Sequence, residues 1–228
     1  MRILIVAATR PEINELITTL PFTIHDHTTG LPNPEPGTSP HTTHNSQLTT
    51  QFTALITGAG MVPTAFALGQ HLAANRYDLA INLGIAGSFD REIALGDIVN
   101  ITEDTLAELG AEDDEEFIPI AQLGFGEGTF NATYTLPANA GIAQATAITV
   151  NTVHGNEASI QKLSSRITAQ IESMEGAAFF YACRQMGVPC MQIRAVSNYV
   201  EKRNREAWKI GLAIKNLNTF AVEYLKSV

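Results

Sequence analysis

Two carboxylates and one amide, Glu12, Glu175 and Asn198, stand where apolar segments of this chain end. Glu12 follows Ile3–Ala8 by way of Thr9, Arg10 and Pro11. Glu175 follows a short apolar piece at Ile167–Ile171, and Asn198 follows Cys190–Val196. Charge beside an apolar strand end is disfavoured unless it is paired or used. Each acid, taken singly, also suits the first turn of a helix, where the dipole favours it. Taken together, two acids and an amide at three strand ends suit a small polar substrate without naming one. The Gly58-x-Gly60 turn ahead of a helix could cradle an anion on its backbone N–H groups. It lacks the third glycine of a dinucleotide fingerprint and the lysine of a P-loop. His25, His27, His41 and His44 have zinc-like spacings but no cysteine or aspartate set beside them, so no metal site is expected.

The elements that must position these residues are legible from short apolar runs bounded by turn residues. Six buried strands are expected at Ile3–Ala8, Phe52–Thr57, Leu79–Leu83, Ile98–Thr102, Ala147–Val150 and Cys190–Val196. Helices are expected at Val62–Ala74, with Pro63 in the first turn, and at Gly176–Met186, closed by Gly187 and Pro189. A last helix is expected from Arg205 to Lys226, with Ile210, Ile214, Leu217, Ala221, Tyr224 and Leu225 on one face. Alternating strands and helices give an α/β fold with a largely parallel sheet. Ligands of such sheets bind at the carboxyl ends of the strands. Thr28–Ser46 and Gly124–Gly128 read as irregular connections.

Composition narrows the class of partner. The chain has 228 residues, 45% of them hydrophobic, which suits one domain spanning 1–228. Its net charge is −9, which argues against nucleic acid, since that partner requires a basic footprint. Glu103–Glu116 holds eight carboxylates with no Lys or Arg and reads as a solvated acidic face. Cys183 and Cys190 are expected as buried free thiols. No apolar run is long enough for a membrane span, so a soluble cytoplasmic protein is expected.

Ser173-Met174-Glu175-Gly176-Ala177-Ala178, then Val188-Pro189 and Arg194-Ala195-Val196-Ser197-Asn198, resemble the nucleoside phosphorylase/nucleosidase superfamily, in particular its methylthioadenosine/S-adenosylhomocysteine nucleosidase branch. Asn82-Leu83-Gly84-Ile85-Ala86-Gly87 resembles that branch's glycine-rich strand end, and Glu12 falls on its catalytic glutamate. The resemblance is weakest over residues 20–50 and 105–145. The run Ser197-Asn198-Tyr199-Val200-Glu201-x-Arg203-x-Arg205-x-x-Trp208-x-Ile210, followed by Ala213-Ile214-x-Asn216-Leu217-Asn218, resembles the futalosine hydrolase family.

The resemblance implies a single-domain nucleoside-phosphorylase-like fold, with a central, mostly parallel mixed sheet flanked by helices. It implies hydrolysis of futalosine to hypoxanthine and dehypoxanthine futalosine, on the futalosine route to menaquinone, by a homo-oligomer, often a dimer, without metal or organic cofactor. Glu12 is then the general base toward water, and Glu175 accepts the ribose hydroxyls. Gly60, Ile85, Ala86, Gly87 and Met174 line the substrate site, and Arg203 or Arg205 meets the substrate carboxylate; Thr152, Val153 and His154 are placed at the base pocket only by their position after the fifth expected strand. The alternative for the arginines is helix-surface pairing, Glu201 with Arg205 and Lys202 with Glu206. Adenine nucleosidases of the branch carry Asp where Asn198 stands. Asn198 cannot serve as that acid, but its amide can donate to purine N7 and O6, which suits a 6-oxopurine. Ile85 replaces a hydroxyl residue that phosphorylases use, which favours water over phosphate as nucleophile. The competing expectations are an adenine nucleosidase, a phosphorylase requiring phosphate, and a nucleoside-binding protein without catalysis.

Overall fold

A computed structural model describes residues 1–29, 50–137 and 140–228. Among them, one large sheet runs in the order β10-β9-β5-β11-β4-β1-β3-β2, with β8 added on β5. Its strands are β1 (Arg2–Ala7), β2 (Phe22–Asp26), β3 (Gln51–Ile56), β4 (Leu79–Ser88), β5 (Ile98–Leu106), β8 (Thr129–Asn131), β9 (Ala143–Thr149), β10 (Ile171–Ser173) and β11 (Cys190–Tyr199). A separate hairpin pairs β6 (Gly110–Asp113) with β7 (Glu116–Pro119). The helices are α1 (Arg10–Thr19), α2 (Met61–Ala74), α3 (Glu157–Ser164), α4 (Gly176–Met186) and α5 (Ile210–Lys226).

Strands β1, β2, β3, β4 and β11 run parallel, so β1, β4 and β11 end together and deliver Glu12, Gly87 and Asn198 to one place. Strand β10 pairs in parallel with β9 and returns antiparallel onto the end of β4, placing Glu172 opposite Gly87. That pairing closes β4, β11, β5, β9 and β10 into a ring. Closure brings Ser173-Met174-Glu175, whose partner strand is far along the chain, against the same strand end.

Alternation along β1 explains the two-sided core. Leu4 and Val6 pack with Leu68, Leu72, Phe179 and Phe180 on the α2/α4 side. Ile3 and Ile5 pack with Ile13, Leu16, Leu217 and Leu225 on the α1/α5 side. Each such fully buried side chain contributes about 2 kcal/mol of transfer free energy.

All six expected strands are present, and the helix at Gly176–Met186 has the expected bounds. The last helix departs from expectation. Arg205–Ala207 form one tight turn and α5 begins only at Ile210, because the Lys209 N–H donates to the Ser197 carbonyl (2.7 Å) and ties the chain to β11. Ala213, Leu217, Asn218, Ala221 and Leu225 form its buried face, whereas Ile210 and Ile214 face a cavity instead of the core. In the acidic run, seven carboxylates are exposed but Asp104 is fully buried, because strand alternation turns it inward. Its burial raises the carboxyl to about 6, against hydrogen bonds from Thr149 (2.8 Å) and the Gln192 amide (3.0 Å) that lower it. Most of the Thr28–Ser46 stretch, with His41 and His44, lies outside the described residues.

Gly176, the first residue of α4, has no room for a side chain. A Cβ there would lie 2.0 Å from Asp104 Oδ2 and 2.2 Å from Gln192 Oε1. Gly176→Ala is expected to lower stability by about 2–3 kcal/mol, the usual scale of overpacking, as read by a denaturant melt.

Candidate active site

At the joined ends of β1, β4, β10 and β11 lies a cavity of about 460 Å³. Glu12, Glu175 and Asn198 all line it, with Ile85, Ala86 and Gly87 between them. Val153, Met174 and Arg203 also form its wall.

Glu12 is the third residue of α1 and is 7% exposed. Its Oε2 accepts from the Thr9 N–H (2.9 Å) and hydroxyl (2.8 Å), and its Oε1 accepts from the Ile85 N–H (3.2 Å). Burial raises its carboxyl above the ordinary range. The Thr9 hydrogen bond, Arg194 and the Ile85 N–H pull it back, and the Glu175 charge raises it further.

Glu175 sits at the N-terminus of α4 and is also 7% exposed. Its Oε1 accepts from the Gly60 N–H (2.9 Å), where α2 begins. Gly60 has φ 101°, a left-handed conformation that glycine adopts without strain. The glycine turn that could have cradled an anion instead donates to the protein's own carboxylate, and Gly60 is not part of the cavity wall. Arg194 Nη1 lies 3.8 Å from Glu175 Oε2.

Arg194 is 1% exposed, and sequence reasoning assigned it no role. Its Nη2 donates to Asn82 Oδ1 and its Nε to Gln192 Oε1 (2.8 Å). Gly84 makes the space: a Cβ there would lie 2.0 Å from Arg194 Nη1 and 3.2 Å from Glu12 Oε1. The available signal was a cation inside an expected buried strand, where a partner is obligatory. Glu172 also went unforeseen, although its partner His154 was placed at the base pocket by its position after the fifth expected strand. Glu172 and His154 both line the cavity, and Glu172 accepts from the His154 N–H (2.9 Å) and contacts its ring Nδ1. Burial raises the Glu172 carboxyl, while His154 lowers it.

Asn198 follows an irregularity in the β4–β11 register between Val196 and Asn198. Its Nδ2 donates to the Tyr199 carbonyl (3.0 Å) and lies near Gly87, where a Cβ would approach it to 3.2 Å. Its Oδ1 accepts from the Ser197 hydroxyl (2.9 Å). One Nδ2 hydrogen is left for a ligand, not the two expected from the free amide.

Thr152 is exposed and lies outside the wall, in the turn after β9. Arg205 is also outside it, with its guanidinium 6.0 Å from the Trp208 ring centroid, whereas Arg203 is in the wall and 5.0 Å from that centroid. Neither expected helical ion pair forms, because residues 201–206 are not in an α-helix; Glu201 pairs with Arg91 instead. No residue of 103–128 lines the cavity; Glu103 and Gly128 border a separate hollow of about 350 Å³. Among the described residues, no cluster of three or more His, Cys, Asp or Glu could hold a metal ion. His25 instead packs edge-on to His71, at 4.8 Å between ring centroids. Both cysteines are buried and free, and no described helix is long and apolar enough to cross a membrane.

The family model of the phosphorylase superfamily matches residues 2–226. A futalosine hydrolase of Acidothermus cellulolyticus is 34% identical over 194 residues, covering 79% of each chain. The chain belongs to the futalosine hydrolase family of the phosphorylase superfamily. A futalosine hydrolase of Streptomyces coelicolor is 38% identical over 146 residues, which is 62% of either chain. The chain thus matches less than two thirds of that relative's length. The solved futalosine hydrolase of Helicobacter pylori strain 26695 shares the fold, with a TM-score of 0.79 at 14% identity, over 100% of this chain and 98% of that one.

The raised Glu12 carboxyl has a stability consequence. A carboxyl bound more tightly to its proton in the folded state adds stability below its unfolded value and loses it as pH rises through the folded value. Glu12→Gln is therefore expected to melt at a higher temperature than the wild type at neutral pH. The difference should shrink in acid, as thermal scans at both pH values would read.

Proposed function

We propose that this protein hydrolyses the N-glycosidic bond of futalosine, releasing hypoxanthine and dehypoxanthine futalosine for menaquinone synthesis. The observation that carries this reading is the pairing of two buried carboxylates, Glu12 and Glu175, across one cavity with Arg194 behind them. Glu12 takes a proton from water as the water oxygen bonds to the anomeric carbon. The bond from that carbon to the purine nitrogen breaks, and its electron pair leaves with the base. Glu175 accepts the ribose hydroxyls, and its charge favours the cationic sugar. Met174 packs against the sugar, and Ile85, Ala86, Gly87 and Val153 border the base and ribose.

Asn198 presents its remaining N–H to the purine, because Ser197 holds its oxygen and Tyr199 its other hydrogen. A single donor there suits the O6 of a 6-oxopurine and opposes the amino group of adenine. Water serves as nucleophile in preference to phosphate. Ile85 offers only its backbone N–H beside Glu12, and Arg194 is already committed to Asn82, Gln192 and Glu175. Arg203, stacked near Trp208 in the wall, is the cation that meets the carboxylate on the 5′ side of futalosine. Thr152 and Arg205 have no contact with the cavity that would give them a part. No metal or organic cofactor enters the reaction. We place the protein in the cytoplasm as a homo-oligomer, a dimer being the simplest; Val62 and Phe66 on α2, 73% and 69% exposed, offer apolar surface for it.

Base release from futalosine, aminodeoxyfutalosine, methylthioadenosine and inosine, with and without phosphate, tests the reading. Hypoxanthine from futalosine, independent of phosphate, is the expected result; adenine release or a phosphate requirement would overturn it. Glu12→Gln should lose about 100-fold or more in kcat, on the scale of general-base loss. Glu12 must be ionised to act, and burial raises its carboxyl, so kcat/KM should fall on acidification with a midpoint above the ordinary glutamate range. Asn198→Asp, which restores a proton donor, should raise adenine release relative to hypoxanthine release.

A further inference from the structure

A regular α1 would bond the Leu16 N–H to the Glu12 carbonyl, four residues back. That bond is replaced by a side chain from the other end of the protein. Asn218 of α5 accepts from the Leu16 N–H with its Oδ1 (2.8 Å) and donates to the Glu12 carbonyl through Nδ2 (2.8 Å). The amide thus sits inside the ladder of α1, between the two groups that would otherwise meet. The helix bends at the same step: Ile13 has φ −125° and ψ 15°, outside helical values. Nδ2 also donates to the Ile214 carbonyl (2.7 Å), one turn back in α5, so both its hydrogens and its oxygen are used. Asn218 is 1% exposed.

Position along the fold gives this insertion its meaning. The residue whose carbonyl is captured is Glu12, and its carboxylate must reach the Ile85 N–H across the end of β4. The captured carbonyl of Ile214 belongs to a residue of the cavity wall. One buried amide therefore ties the backbone of the carboxylate to the wall of the same cavity.

We infer that Asn218 is the positioning residue for Glu12: its amide opens α1 by one hydrogen bond and sets where the carboxylate stands. Chemistry restricts the choice of residue. A leucine of similar volume leaves the Leu16 N–H and the Glu12 carbonyl without partners, or lets α1 close and carries Glu12 away from Thr9 and Ile85. An aspartate turns the donor into an acceptor against two carbonyls. The charged groups that bear on the Glu12 carboxylate are Arg194 of β11 and Glu175 at the start of α4; Asn218 touches neither.

This inference rests on Glu12 being the base that activates water. The test compares Asn218→Leu, Asn218→Ser and Asn218→Gln with the wild type and Glu12→Gln, on futalosine, below the melting point of every variant. A misplaced base costs rate more than binding, so Asn218→Leu and Asn218→Ser should lose about 10- to 100-fold in kcat with KM within about twofold. The acidic limb of their kcat profile should move to higher pH, as Glu12 loses its Thr9 and Ile85 hydrogen bonds, and Asn218→Gln should recover part of both. Asn218→Ser, which adds no bulk, carries the test if Asn218→Leu does not fold. Lower melting temperatures with unchanged kcat and an unmoved acidic limb would overturn the inference. If Glu12→Gln keeps the wild-type rate, the reading of Glu12 as base fails instead, so the two failures are distinguishable.

Discussion

A buried arginine facing two buried carboxylates is the constraint around which this fold is built. Taking an ion out of water costs several kcal/mol even after relaxation, and that cost is offset only by close partners. Arg194 has them on several sides: Asn82 on β4, Gln192 on its own strand, and Glu175 at the start of α4. Gln192 passes the demand on to Asp104, Asp104 to Thr149, and Thr149 accepts the Ala177 N–H at the head of α4 (2.8 Å). Gly84 and Gly176 are small because this polar chain occupies the space their side chains would need. The ring closure of β10 onto β4 brings the network's far members together.

The same constraint divides the labour between the glutamates. Glu175 is held in place by the N–H of Gly60 at the start of α2, with Arg194 Nη1 3.8 Å from its Oε2. Glu12 is buried among apolar neighbours with three donors, and burial dominates, so its proton affinity rises. One carboxylate is fixed in position by a backbone donor, and the other is made more basic by burial. Two like groups in one cavity acquire different tasks from their surroundings.

Much of the scaffold was legible because it follows from hydrophobic pattern. The six strands are apolar runs with turn residues at their ends, and Gly187 marks the end of α4. α1 was given no range because Arg10-Pro11-Glu12 also reads as a strand exit, although Glu12 was seen to suit a helix's first turn, and β2 was missed because Phe22-Thr-Ile-His-Asp is too polar to signal an edge strand. Glu12, Glu175 and Asn198 could be singled out as polar groups at apolar strand ends, and resemblance supplied their roles. Asp104 could not be told from its acidic neighbours, since only strand alternation separates it from Glu103. Asn218 and Glu172 gave no sequence signal that they reach the site, because their partners Glu12 and His154 meet them only in the folded chain.

In the proposed reaction Glu12 delivers water to the sugar. Futalosine turnover in water labelled with heavy oxygen, with phosphate present, tests it most directly by mass spectrometry of the sugar product. The predicted result is one heavy oxygen on the anomeric carbon in the wild type, formed at a rate that Glu12→Gln lowers about 100-fold or more. A sugar phosphate, or labelled product formed equally fast by Glu12→Gln, would contradict it.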